Sequence, residues 1–93
     1  MDFDEIQNYL ENIDNSWNVT DNKKLIRKFK FKNFRESIVF VNKVADLAES
    51  EGHHPDTCIN YNRVTVELTT HAIGGLSKND FIIAAKIDRL SER

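Results

Sequence analysis

The feature that most constrains this chain is one long amphipathic helix set between two alternating segments. Asn33 is a good helix cap, and Glu36 at its third position gives a capping-box pattern. From there Phe34, Ile38, Val41, Ala45 and Ala48 recur at four, three, four and three, which is one helical face. The helix runs to about Glu51. Gly52 supplies its C-terminal stop, and Pro55 lies just beyond. Upstream, residues 24–31 alternate. Leu25, Phe29 and Phe31 fall on one parity, with Arg27 the exception, and Lys24, Lys28 and Lys30 fall on the other, joined by Ile26. Downstream, residues 63–70 alternate as well, with Val64, Val66 and Leu68 on one side and Thr65, Glu67, Thr69 and His71 sharing the other parity. A pleat that held to its end would aim His71 away from the valine layer.

The remaining segments complete the pattern. Residues 2–15 form an expected helix through Phe3, Ile6, Leu10 and Ile13, with Asp2 and Glu5 in capping-box positions. Residues 17–19 form a short strand, and Thr20-Asp21-Asn22 is turn chemistry that pairs it with residues 24–31. Residues 57–60 form another short strand, turning through Asn60-Tyr61-Asn62 into residues 63–70. Gly74-Gly75 breaks the chain. Ser77 then caps a last helix, with Asp80 at its third position and Leu76 and Phe81 spaced as a hydrophobic staple. Ile83, Ile87 and Leu90 continue its apolar face. The order is α-β-β-α-β-β-α. Two hairpins joined by a helix predict an α+β fold, a four-stranded antiparallel sheet with three helices packed on one face. The whole chain, 1–93, is expected to be a single domain.

Composition narrows the function classes. The chain has 93 residues, enough for one small domain whose limited core oligomerisation would help. A net charge of -2 gives no overall electrostatic reason to expect nucleic-acid binding. The local basic run of Lys23, Lys24, Arg27, Lys28, Lys30 and Lys32 reads as a solvated strand face and loop. The single cysteine, Cys58, cannot form an internal disulfide and is expected to be a small packing residue. No apolar stretch approaches the ~20 residues that span a bilayer. No signal-peptide hydrophobic region follows Met1, so the cytoplasm is the expected compartment.

All three histidines fall in one stretch, at His53, His54 and His71. Histidine gives or takes a proton near neutrality because its unperturbed pKa is ~6.5. Two or three such groups around one cavity can serve one substrate as acid and base. No Gly-x-Ser-x-Gly nucleophile signature and no glycine-rich phosphate loop is present. Three histidines with Glu49 or Asp80 would suffice for zinc, but adjacent histidines usually diverge and no His-Glu-x-x-His occurs, so no metal is expected. By residue type alone the same positions also suit a helix-end cap at His53-His54, a strand-end surface residue at His71, a solvated Glu49 and a purely capping Asp80.

The spacing separates these readings. Glu49, three residues, His53-His54-Pro55, five residues, Tyr61, nine residues, His71, eight residues, Asp80 resembles the signature of the pterin-4a-carbinolamine dehydratase family. Phe29-Lys30-Phe31-Lys32-Asn33-Phe34 with Phe40, Trp17, and Thr70-His71 followed by Gly75-Leu76-Ser77 and Asp80 extend the resemblance over most of the chain. The resemblance implies dehydration of a 4a-hydroxytetrahydropterin to a quinonoid dihydropterin, in recycling of the pterin used by aromatic amino-acid hydroxylases. It implies no metal or organic cofactor. Carried over by position, it makes His53, His54 and His71 the active-site histidines, and we assign His53 and His71 to proton transfer and His54 to holding the pterin. Gly52, His53, His54, Thr69, Thr70, His71 and Ala72 match the family's substrate-contacting segments. Glu49 and Asp80 match its acidic positions, which orient histidines or the pterin ring.

The resemblance also implies dimers or tetramers. Two other roles belong to the family: some members are dimerisation partners of a homeodomain transcription factor, and paralogues act on another pterin, for instance in molybdopterin metabolism, or in protein assembly. Direct nucleic-acid contact and membrane association are not expected. The chain departs from the family in one place. Many members carry an aromatic residue soon after His-His-Pro, where this chain has Thr57 and Cys58. That change bears on the pocket wall and removes no proton-transfer group.

Overall fold

A computed structural model describes residues 1–91; Glu92 and Arg93, the end of the expected 1–93 domain, lie outside the described residues. The element order is α1 (Phe3–Leu10), β1 (Asn18–Thr20), β2 (Lys24–Lys30), α2 (Phe34–Glu51), β3 (Asp56–Asn60), β4 (Arg63–Leu68), a single 3-10 turn (His71–Ile73) and α3 (Lys78–Leu90). The four strands form one sheet in the order β1-β2-β4-β3, and every pair is antiparallel. The expected α+β fold is the one observed.

The sheet puts its apolar parity under the helices. Leu25 and Phe29 of β2 and Val64, Val66 and Leu68 of β4 are buried with Ile6, Phe40, Val44, Leu76, Phe81, Ile83 and Ile87 from the helical layer. The opposite face carries Lys24, Lys28, Lys30, Asp56, Cys58, Asn60 and Arg63, all exposed. Cys58 therefore lies on the wet face of an edge strand and is not the packing residue expected of it. The β1–β2 turn holds Asp21 and Asn22 at φ 54 and 55, left-handed conformations those side chains tolerate.

Arg27, the misfit in the alternation of β2, faces inward because it has a partner there. Its Nη1 lies 2.5 Å from Asp88 Oδ1 in α3, and its guanidinium sits 4.2 Å from the centre of the Phe29 ring. Trp17 Nε1 donates to the same Asp88 oxygen at 2.7 Å, and the Asp14 backbone N–H donates to Asp88 Oδ2 at 3.0 Å. That contact also explains why α1 stops at Leu10 rather than near residue 15. The chain is drawn away to Asp88, while the Asp14 carboxylate accepts from the Ser16 N–H at 2.8 Å in a local turn that competes with helix. The Ser16 N–H, more than the nearby Arg27, holds the Asp14 carboxyl below its usual range.

The long helix begins and ends as its sequence predicts, but its buried stripe is rotated. Ser37, Phe40, Val44 and Ala48 face the core, whereas Phe34 is 50% exposed and Ala45 is exposed. Phe40 decides the rotation. Its ring lies 4.6 Å from that of Phe29 and 5.0 Å from that of Phe31, so aromatic packing against the sheet sets which side faces inward. A helix with two overlapping apolar stripes buries the one whose shape fits, and Phe34, Ile38, Val41 and Ala45 become a second, more exposed stripe.

Candidate active site

The site assembles where the C-terminus of α2 meets the N-terminus of α3. Gly52 adopts φ 65, ψ 29, the left-handed conformation that ends a helix and that glycine enters without a Cβ clash. The backbone N–H of His53 then donates back to the carbonyl of Ala48 at 3.2 Å. The histidine pair is thus tied to a rigid helix end. It also leaves that end in two directions, as adjacent residues do.

His53 turns toward α3, with Nε2 2.7 Å from Asp80 Oδ1. Asp80 is completely buried. A carboxylate there must be compensated by hydrogen bonds, and it is. Its Oδ2 accepts from the Thr70 hydroxyl at 2.8 Å and from the Ser77 N–H at 2.9 Å, the second being the return half of the capping pattern at the start of α3. The Ser77 hydroxyl lies 2.8 Å from that of Thr70. Asp80 is therefore more than a cap. One carboxylate joins α3, the segment after β4 and the His53 ring.

His54 turns the other way and bonds Glu49, four residues before His53 on α2. Both side chains are exposed, 62% for His54 and 77% for Glu49. His54 and Glu49 line a mostly apolar hollow of about 260 Å³ with Val41, Ala45, Pro55 and Thr57 among its walls. His53 lines a separate hollow of about 120 Å³ with Glu51, Gly52 and Asn79. Thr57, one of the two residues that stand where the family often carries an aromatic, is thus a wall of the His54 hollow.

His71 starts the 3-10 turn and is exposed. Strand β4 ends at Leu68, so the pleat does not run on to residue 71 and strand parity does not set the direction of its ring. A bridge between Thr70 and Gly75 closes the turn, with the Thr70 N–H donating to the Gly75 carbonyl at 2.8 Å. The Thr69 hydroxyl donates to the carbonyl of Lys23 at 2.7 Å, anchoring the segment to the first hairpin. Ala72 is exposed beside it. Thr70 thereby ties the His71 turn to the carboxylate that holds His53. Tyr61 is elsewhere. It forms the β3–β4 turn at φ 53 with its ring 66% exposed, about 13 Å along β3 from the histidine end at 3.3 Å per residue.

The arrangement offers one buried carboxylate–imidazole pair, one exposed pair and one exposed imidazole, which is equipment for proton transfer. Among the described residues no group of three or more His, Cys, Asp and Glu side chains is placed to hold a metal ion. Ser77 is the site residue that sequence reasoning took only as a cap. The signal was present in the Ser77-x-x-Asp80 spacing, but the direction of the serine hydroxyl toward Thr70 is set by the fold.

The family model for pterin 4 alpha carbinolamine dehydratase matches residues 1–90. The chain belongs to the pterin 4 alpha carbinolamine dehydratase family. That makes it a member of a hydro-lyase family. A provisionally named pterin-4-alpha-carbinolamine dehydratase of Nitrosomonas eutropha is 49% identical over 87 residues, 94% of this chain and 76% of that protein. One of Alkaliphilus metalliredigens is 45% identical over 86 residues, 92% of this chain and 78% of that protein. Among solved structures, a transcriptional coactivator/pterin dehydratase from Brucella melitensis superimposes with a TM-score of 0.92 at 32% identity, covering 99% of this chain and 98% of that one. A pterin dehydratase-like protein described as a RuBisCO assembly factor in the alpha-carboxysome shares the fold, with a TM-score of 0.70 at 23% identity over 82% of this chain and 89% of that one.

Proposed function

We propose that this chain dehydrates a 4a-hydroxytetrahydropterin to a quinonoid dihydropterin plus water, in the recycling of tetrahydrobiopterin. The observation that carries this reading is the His53–Asp80 pair, 2.7 Å apart and bonded through Thr70 to the segment that bears His71. In the reaction the C4a–O bond breaks as the N5–H electron pair forms a C4a=N5 double bond. The departing hydroxyl needs a proton, and the N5 proton needs a base. Two histidines supply both steps, and the total proton count is unchanged, with the acid and base reset by proton exchange with solvent. His53 and His71 are the proton-transfer groups, and His54, held by Glu49, positions the pterin. The hydroxyls of Thr69 and Thr70 are committed to protein partners, so Gly52 and residues 69–72 would meet substrate mainly through backbone.

The test is the loss of a freshly generated 4a-hydroxytetrahydropterin with purified protein. His53→Ala and His71→Ala are each expected to lose about 10²–10⁴-fold. Wild-type protein no faster than either variant refutes the reading. We further propose that the protein works in the cytoplasm; among the described residues no helix is long and apolar enough to cross a membrane.

The second apolar stripe of α2 supports a partner as well as a substrate. Phe34 and Val39 are each 50% exposed, and with Arg35 and Ile38 they line a shallow hollow of about 350 Å³. We assign this stripe to self-association as a homodimer or homotetramer, with Ile38→Glu expected to lower the mass measured by light scattering. A non-catalytic module, whether coactivator or assembly factor, is the alternative use of the same surface. Protein partner binding that survives replacement of all three histidines, with no dehydration by wild type, would favour it.

A further inference from the structure

The hydrogen bonds around Asp80 fix more than the position of His53. Count the protons. An Asp80 carboxylate can only accept, and Thr70 has one hydroxyl hydrogen. Thr70 Oγ1 lies 2.8 Å from Asp80 Oδ2 and 2.8 Å from Ser77 Oγ. The charged acceptor takes the threonine proton, because hydrogen bonds to ionised oxygens are roughly twice as strong as neutral ones. Ser77 must then donate to Thr70, its own path to Asp80 Oδ2 being longer at 3.4 Å. The order is Ser77 O–H to Thr70 Oγ1, Thr70 O–H to Asp80 Oδ2.

Oδ2 also accepts from the Ser77 N–H at 2.9 Å, a donor fixed by the start of α3. Two donors from different elements hold the carboxylate in plane and leave Oδ1 aimed at the imidazole. His53 Nε2, at 2.7 Å from Oδ1, must be the donor in that contact. In a neutral ring the proton is then on Nε2, and Nδ1 carries the lone pair.

We propose that Thr70, backed by Ser77, is a positioning residue that locks Asp80 and so holds His53 in its Nε2–H tautomer, making Nδ1 the atom that works on the substrate. Building on the dehydratase reading, this assigns His53 as the base. Its Nδ1 takes the N5 proton, and the resulting imidazolium is stabilised by Asp80. His71, exposed at the start of the 3-10 turn and bonded to no carboxylate among the described residues, is left to protonate the departing hydroxyl. The N5–H bond breaks, its electrons form C4a=N5, and the C4a–O bond breaks with its electron pair on oxygen, which takes the delivered proton and departs as water.

The test reads the tautomer directly. Two-bond ¹H–¹⁵N correlation spectra of the full-length protein, with histidine ¹⁵N-labelled, distinguish a protonated from an unprotonated ring nitrogen. At a pH where His53 is neutral, wild type is expected to show Nε2 protonated and Nδ1 free. Thr70→Val, which keeps the shape and removes the hydroxyl, is expected to show a mixture of tautomers and to lose about 10-fold in kcat with little change in KM, the size of one hydrogen bond lost from the transition state. Thr70→Ser restores both signals. Ser77→Ala keeps Nε2 protonated, because Thr70 still gives its proton to Asp80. A wild-type ring protonated on Nδ1 overturns the proposal even if Thr70→Val cannot be folded. So does Thr70→Val with unchanged tautomer and unchanged rate. If wild type dehydrates no pterin, the spectrum still decides the tautomer order, and the two readings fail separately.

Discussion

Asp88→Ala removes the hub on which three separate parts of this chain meet, and the structure sets the size of the loss. Asp88 accepts from Arg27 of β2, from the Trp17 indole and from the backbone of Asp14. The side chains of Arg27 and Asp88 are only 15% and 14% exposed, so little solvent is at hand to replace the lost partner. Breaking a buried ion pair from one side costs about 3–5 kcal/mol, and the Arg27 charge keeps only the more exposed Asp14 carboxylate, at 3.8 Å, to offset it. The orphaned indole N–H falls within that range rather than adding fully to it, since contacting groups are not additive. Marginal stability of about 0.05–0.15 kcal/mol per residue puts a domain of this size near 5–14 kcal/mol, so the variant loses a large share. With a urea m-value of about 2 kcal/mol/M, the midpoint should fall by about 2 M. The assay is urea unfolding at one fixed protein concentration, followed by far-UV circular dichroism and by the fluorescence of Trp17, the single tryptophan. The double replacement Arg27→Met with Asp88→Leu should recover much of the loss, because an apolar pair of similar volume carries no desolvation cost. A loss under about 1 kcal/mol for Asp88→Ala, or a double variant no better than the single one, refutes the reasoning.

Three further outcomes are expected. Gly52→Ala should cost about 1–2 kcal/mol, purely from holding alanine in a left-handed conformation, because nothing lies within 4 Å of the added Cβ; calorimetry should show Tm falling by several degrees. Glu49→Ala should change stability by under about 1 kcal/mol, since exposed ion pairs contribute little, while raising KM for the pterin; an unchanged KM removes Glu49 from the site. The Asp14 carboxyl is held below its ordinary value of 3.8, so its contribution is present above that pH and fades as pH falls through the lower folded value. The stability gap between wild type and Asp14→Ala should therefore narrow in acid below pH 3.8, and chemical unfolding at stepped pH would show a widening gap if the sign is wrong.

Local sequence rules determined the elements, because caps, turns and alternation act through neighbouring residues. Asn33, Gly52, Ser77 with Asp80, and Asp21-Asn22 each stand where those rules put them, and the α+β order follows. The spacing of Glu49, His53, His54, His71 and Asp80 was enough to mark the family. What the sequence could not determine was anything decided by a residue far along the chain. Arg27 is an exception to the alternation of its strand that only Asp88, 61 residues away, explains by taking its charge. The apolar stripe of α2 could have turned either way, and the shape of the Phe29–Phe31–Phe40 packing chose the side. Asp80 and Ser77 satisfied a local capping pattern completely, so nothing local required more of them. Only the meeting of three segments gave that carboxylate a histidine, gave that serine a threonine, and sent His53 and His54 from one backbone position into two different hollows.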